Sequence, residues 1–252
     1  MSGPSAVPGA TEDALLGGRV VLRQPAAGYR AAIDPVLLAA AVPARGGDHI
    51  LDIGCGVGST SLCLAARVAD CRIAGIEVQP QLLRLAKENI VLNRLGDRVT
   101  AMAGDLLHPP ADLVPGSFDQ VMANPPFLRA SEVSASPNAA KALANVESEA
   151  TLADWVRCAL AMARPRGGIT VIYRADRIEE LLALLAGLAG GIAIFPLWPG
   201  TAKPAKRVIV HARKDTATPT LLLPGLVLHR ADGHYTDEAE AVLRHAAPLA
   251  LG

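Results

Sequence analysis

The 252-residue sequence predicts an α/β protein, a doubly wound and mostly parallel sheet behind a short N-terminal extension. Two observations carry that prediction. From His49 onward, short apolar runs alternate with stretches of helical periodicity, the pattern of strand–helix–strand units. Four of those runs end in a polar side chain, Asp52, Glu77, Asp105 and Asn124, and in a parallel sheet neighbouring strand ends share one carboxyl edge.

In chain order, Met1 to Ala10 reads as a disordered tail, and Gly17 to Pro25 as a short strand or hairpin. Asp34-Pro35 then opens a helix over Val36 to Val42, with Asp34 as N-cap and Pro35 at the first helical position. Tyr29, Arg30 and Asp34 stand together just before the nucleotide-binding unit and are candidate substrate contacts. His49 to Ile53 is a strand that breaks into Gly54-Cys55-Gly56-Val57-Gly58 and a helix from Ser59. Such glycines let the backbone turn tightly and bring it close to a ligand across the strand end. Arg72 to Glu77 is the second strand. Its terminal acid falls about 20 residues past the turn, where a doubly wound fold places a carboxylate against ribose hydroxyls. Pro80 begins a long amphipathic helix ending near Gly96. Val99 to Ala103 is the third strand, with Asp105 at its end as a second acid able to accept an adenine amino group.

The fourth strand, Phe118 to Ala123, stops in Asn124-Pro125-Pro126-Phe127. Two prolines fix φ at about −65° and hold the preceding residue extended, so the Asn124 carboxamide is presented rigidly at the strand end. A carboxamide oxygen beside a freed carbonyl can accept both hydrogens of a planar amino group while an aromatic ring stacks on the attached π-system. A nucleobase or an amide suits such a site.

Residues 128–148 form a long Ala-, Ser- and Asn-rich segment, a candidate substrate loop with Arg129 and Lys141 as phosphate contacts. Beyond it the sequence predicts a helix over Thr151 to Met162, a strand over Ile169 to Tyr173, a helix over Ile178 to Leu188, and strands over Ile192 to Leu197 and Arg207 to Ala212. Lys203, Lys206 and Arg207, followed by Arg213 and Lys214, form the densest basic cluster and a candidate backbone-phosphate patch. Leu226 to Leu243 adds a strand and a helix.

Composition narrows the rest. A 51% hydrophobic content supports a sizeable core, and 24 basic against 24 acidic residues supply no global field, so any RNA contact must rest on a local patch. Cysteines 55, 63, 71 and 158 have no zinc-site spacing, and no metal site is expected. The start lacks a signal-peptide pattern, which points to the cytoplasm. The apolar run Leu181 to Trp198 contains Gly187, Gly190-Gly191 and Pro196, so it reads as a helix end, a turn and a strand rather than a membrane span. The expected division is an extension over 1–47 (tail, hairpin and helix) and one domain over 48–252 with a C-terminal strand–helix appendage.

Asp52-Ile53-Gly54-Cys55-Gly56-Val57-Gly58, Glu77, Asp105 and Asn124-Pro125-Pro126-Phe127, in this order, resemble the class I methyltransferases that use S-adenosylmethionine, over about residues 48–212. The resemblance implies a Rossmann-like seven-stranded sheet with an antiparallel last strand, S-adenosylmethionine as cofactor, and methyl transfer to nitrogen. It implies cofactor contacts at Asp52, Gly54, Cys55, Gly56, Gly58, Glu77, Val78, Asp105, Leu106 and Asn124, with Asn124, Pro125 and Phe127 as the catalytic group. The flanks Gly28-Tyr29-Arg30, Asp34, Lys203 to Val208 and Gly225 to His229 are similar to bacterial tRNA adenine methyltransferases that modify the amino nitrogen of the adenine next to the anticodon of a valine tRNA. That likeness implies tRNA as partner. Phe127 stands where those enzymes usually carry tyrosine, and the phenylalanine form also occurs in guanine-directed rRNA enzymes. Transfer to guanine N2 of rRNA and to glutamine N5 of a protein are the alternatives.

Overall fold

The computed structural model describes residues 10–26, 32–126 and 150–251. Tyr29, Arg30, Phe127, Arg129 and Lys141 lie outside the described residues. One large sheet runs through the protein, built from β3 (His49–Ile53), β4 (Arg72–Glu77), β5 (Val99–Ala103), β6 (Phe118–Ala123), β7 (Ala163–Arg174), β8 (Ala189–Gly200) and β9 (Arg207–Lys214). Their spatial order is β5-β4-β3-β6-β7-β9-β8, parallel from β5 to β7, with β9 antiparallel to both of its neighbours. These are the seven strands and the antiparallel seventh strand that the sequence led one to expect. Two short strands extend the count to nine among the described residues: β10 (Leu221–Leu222) and β11 (Leu226–His229) both pair parallel with β8. The strand expected as an appendage is therefore part of the sheet.

Helices cover both faces. On one side α1 (Asp34–Ala41), α2 (Ser59–Arg67), α3 (Pro80–Leu92) and, after β11, α6 (Asp237–His245) pack on Ile50, Met122, Ile172 and Ile209. On the other, α4 (Leu152–Met162) and α5 (Ile178–Leu185) pack on Leu51, Val121, Ile169, Val171 and Val210. Alternate strand residues thus feed opposite cores, which is why the strands read as continuous apolar runs. Thr151 and Asp154 form a reciprocal capping box that starts α4. α5 stops at Leu185, short of the expected Leu188, and Gly187 takes a left-handed conformation (φ 73°) in the turn that leads to β8. Pro196 lies within β8, and among the described residues no helix is long and apolar enough to cross a membrane.

The N-terminal hairpin has a strand that the sequence did not reveal. β1 (Ala10–Leu15) pairs antiparallel with β2 (Val20–Pro25), so a strand begins at the last residue expected in the tail. Val20 and Leu22 are fully buried and join the core of α1, α2 and α3. Asp34 is corrected from N-cap to first helical residue. Ile33 holds the cap position and makes no capping bond, while the Asp34 carboxylate accepts from Arg207 Nε at 3.1 Å. The basic cluster is corrected too. Register pairs Arg174 with Arg207 and Gly168 with Arg213, so Arg207 stands at the carboxyl edge of the parallel strands and Arg213 and Lys214 at the opposite edge.

If the hairpin belongs to the common core, Leu22→Ala lowers the free energy of unfolding by about 2–5 kcal/mol in a single transition. Urea denaturation followed by circular dichroism checks this, and an unmoved midpoint would show that β1–β2 melts independently.

Candidate active site

The sheet changes winding direction between β3 and β6, where the chain has built outward through β4 and β5 and returns on the other flank of β3. Ligands of open α/β sheets lie outside the carboxyl ends of the strands at such a point. Register brings the relevant ends level: Ile53 pairs with Ile76 and Ala123, and Glu77 with Ala103. The residues that follow or end these strands, Gly54, Glu77, Asp105 and Asn124, therefore crowd one rim.

The glycine turn is held by its neighbours. Cys55 N donates to Ile76 O (2.9 Å), Gly58 N donates to Cys55 O (2.8 Å), and Gly56 N donates to the Glu77 carboxylate (2.9 Å). Gly54 (φ 64°) lies against the Trp155 indole of α4, so closely that a Cβ there would stand 2.3 Å from the ring. Gly56 (φ 57°) has open space where a Cβ would be, leaving its backbone accessible on that side. The Cys55 thiol points inward against Gly75, and burial, with the charges of Asp52 and Glu77, raises its pKa well above the ordinary value. It is a packing group rather than a nucleophile.

Two buried acids lie beneath the turn. Asp52 is 2% exposed and accepts from the Ser61 hydroxyl at 2.6 Å. Burial pushes its pKa up to about 7, the Ser61 hydrogen bonds opposing and the Glu77 charge adding. Glu77 is 5% exposed, and one of its oxygens accepts from Gly56 N and the other from Gln79 N (2.8 Å). Burial raises its pKa against these bonds. Each carboxylate oxygen retains acceptor capacity, and a buried acid with a raised pKa is a ready partner for a cationic or hydroxyl-bearing ligand. Beside Glu77, Val78 is 59% exposed, an apolar side chain left uncovered on the rim.

Asp105 accepts from Leu107 N (2.9 Å) and faces His108 Nδ1 at 3.4 Å, with Leu106 half-buried between them. Asn124 follows β6 directly, half-buried with its Oδ1 closed off from solvent, and Pro125 is buried behind it. Asp34 and Arg207 pair with each other, and Lys203 and Lys206 are exposed on the β8–β9 connection at the same edge of the sheet.

Several contributors went unread in the sequence. Trp155 shapes the turn from a helix far along the chain, and Ser61 supports Asp52 from α2. Asn89 of α3 and Asn93 at its C-cap bind the backbone of β2. Their signal was two asparagines four residues apart on a helix, Asn89 sharing the buried stripe of Leu85, Ala86 and Ile90, where a poor helix former needs a reason to be.

The donor set fits S-adenosylmethionine: a turn with open backbone at Gly56, buried acids at Asp52 and Glu77 for a ligand carrying cationic and hydroxyl groups, and an uncovered apolar side chain at Val78. The fold is shared with a crystal structure described as a predicted O-methyltransferase from Agrobacterium tumefaciens (TM-score 0.71, 20% identity), over 86% of this chain and 98% of that one. A family model, the methyltransferase small domain, matches residues 30–154. The tRNA1(Val) (adenine(37)-N6)-methyltransferase of Actinobacillus pleuropneumoniae is 30% identical over 207 residues, which cover 81% of this chain and 84% of that one. The enzyme of the same name from Porphyromonas gingivalis is 29% identical over 200 residues, covering 75% and 76%. The chain belongs to the methyltransferase family of these relatives. It is an S-adenosylmethionine-dependent methyltransferase.

The Asp52 carboxyl is more easily protonated in the folded protein than unfolded, so its contribution to stability is full below about pH 4 and is lost as pH rises through about 7. The variant Asp52→Asn, with a neutral carboxamide in place of the acid, lacks that loss. In ligand-free protein, wild-type stability falls relative to the variant by up to about 1.4 kcal/mol per pH unit within this window and keeps a constant difference from it above. Urea titrations at stepped pH measure the difference, and a constant offset would show that Asp52 titrates as an ordinary acid.

Proposed function

We propose that the enzyme methylates the N6 amino group of an adenine in the anticodon loop of a tRNA. The observation that carries this reading is the position of Asn124: a carboxamide on a proline-stiffened strand end, at the switch point, one strand from the glycine turn and two from Glu77. The names of the related enzymes support adenine in preference to guanine or glutamine.

When bound, S-adenosylmethionine supplies an electrophilic methyl group carried on a sulfonium. Asp52 and the turn Gly54, Cys55, Gly56 and Gly58 would hold its amino-acid part, Glu77 its ribose, and Val78, Asp105 and Leu106 its base. An adenine amino nitrogen is a weak nucleophile because its lone pair is delocalised into the ring. In this reading the Asn124 Oδ1, closed off from solvent in the ligand-free protein, opens to the base, and with the Pro125 carbonyl it accepts the two amino hydrogens, which favours a more pyramidal nitrogen and stabilises the positive charge that develops there. No strong base has to act beforehand. The target base leaves its stack, as enzymes that act on a nucleobase require, and the Phe127 ring would be its stacking partner.

Lys203, Lys206 and Arg207 contact backbone phosphates in this reading, at the edge of the sheet that carries Asn124, with Asp34 fixing the Arg207 guanidinium. Tyr29, Arg30, Arg129 and Lys141 are its further substrate contacts. A tRNA target implies work in the cytoplasm.

Asn124→Ala should lower turnover by about 10²–10³-fold and leave cofactor affinity within a few-fold of wild type. A labelled-methyl assay offering tRNA, rRNA and release factor side by side, with nucleoside mass spectrometry of the product, tests the substrate. Methyl incorporation confined to rRNA guanine or to protein would overturn the assignment. Replacing Lys203 and Lys206 by alanine should reduce the slope of log affinity for tRNA against log salt by about 1.5, and an unaltered slope would make the pair ordinary solvated surface.

A further inference from the structure

The free edge of β2 is paired not with a strand but with two side chains. Asn93 Oδ1 accepts from Val21 N (2.9 Å) and its Nδ2 donates to Val21 O (2.7 Å). One helical turn earlier, Asn89 Oδ1 accepts from Arg23 N (2.8 Å) and its Nδ2 donates to Arg23 O (3.0 Å). Val21 and Arg23 point their backbone groups the same way, and asparagines four apart, in the last turn of α3 and at its C-cap, match that repeat, so the strand meets two amide partners in place of a peptide backbone. Without them four polar backbone groups would be left on a partly buried edge.

Asn89 does one thing more. Its second amide hydrogen goes to Val57 O at 2.9 Å, inside the glycine turn, and the residue is fully buried. The next atom along that peptide, Gly58 N, is held by Cys55 O. The Val57–Gly58 peptide is thereby fixed at both ends, one of them through a side chain that also grips the N-terminal hairpin. Both hydrogens of the Asn89 side-chain amide are used, and the Asn93 side chain is taken up by Val21 and the Asn89 carbonyl among the described residues.

We propose that Asn89 is a positioning residue for cofactor binding, joining the glycine turn to the hairpin so that docking of β2 and binding of S-adenosylmethionine reinforce each other. The proposal rests on the glycine turn being the cofactor site. Coupling between two sites is reciprocal: losing the Val57 tie weakens the cofactor, and adding the cofactor tightens the hairpin at Arg23.

The test compares Asn89→Ala with Asn93→Ala in the full chain, using S-adenosylhomocysteine as probe in calorimetry. Both variants lose hairpin bonds and some thermal stability. Only Asn89→Ala should also lose affinity, by roughly ten-fold, with KM for S-adenosylmethionine raised and kcat held. Asn89→Asp, which keeps the acceptor for Arg23 N and loses both donors, should behave like the alanine variant. Equal affinities in the Asn89 and Asn93 variants would overturn the proposal, whereas failure of the unaltered protein to bind the probe would overturn the cofactor site itself. Should the Asn89 variants not fold, hydrogen exchange on the unaltered protein reads the same coupling. The probe should slow exchange of the Arg23 amide more than that of Val21, and equal change at both, or none, would overturn it.

Discussion

The parallel pairing of β3 with β6 is the contact on which the rest depends. β3 is followed in sequence by β4 and β5, yet its second neighbour is a strand that starts 65 residues after β3 ends, at Phe118 after Ile53. Because Ile53 and Ala123 are level, the glycine turn and the Asn124-Pro125-Pro126 corner emerge side by side. Had β6 been added outside β5, the carboxamide would stand three strands from the turn, at about 4.8 Å per strand. A donor and an acceptor could not then meet across one crevice. The long crossover needed to reach the far side of β3 costs only a little extra chain entropy, and it is repaid by burial of Val121 and Met122 on opposite faces of the sheet.

Around that contact the protein concentrates buried acid. Asp52 and Glu77 are both nearly inaccessible, and neither has a basic side chain among the groups that shift it. Hydrogen bonds from Ser61, Gly56 and Gln79 offset part of the desolvation cost, but not enough to return either carboxyl to its ordinary range. Such an arrangement is poor for the stability of the empty protein. It becomes favourable when a ligand brings positive charge and hydroxyl donors, and here stability and binding draw on the same atoms. Glu77 shows the economy of the design, since the carboxylate that faces the ribose in our reading also fixes the turn through Gly56 N.

The N-terminal hairpin extends this rim from the far side. Its apolar face is continuous with the core under α2 and α3, and its polar edge is closed by α3 side chains. Asp34 and Arg207 close the other end, tying the first helix to β9. An ion pair of this kind, each partner partly exposed, contributes less than about 1 kcal/mol. Its importance lies in holding the Arg207 guanidinium at the edge of the sheet that carries Asn124.

The sequence by itself determined the four strands whose carboxyl ends carry Asp52, Glu77, Asp105 and Asn124 at or just beyond them, the glycine turn between β3 and α2, and the alternation that makes the sheet parallel, because each is set by local rules: apolar runs, positive-φ glycines, prolines that stop a strand. Only the tertiary structure decided how distant segments meet. It brought Trp155 onto Gly54, paired Arg207 with Asp34, moved Arg213 and Lys214 to the opposite edge from Lys206, recruited β10 and β11 into the sheet, and set Asn89 between Arg23 and Val57. Each of these depends on sheet order and register, which are chosen by the packing of two whole cores and leave no trace in the few residues around any one contact.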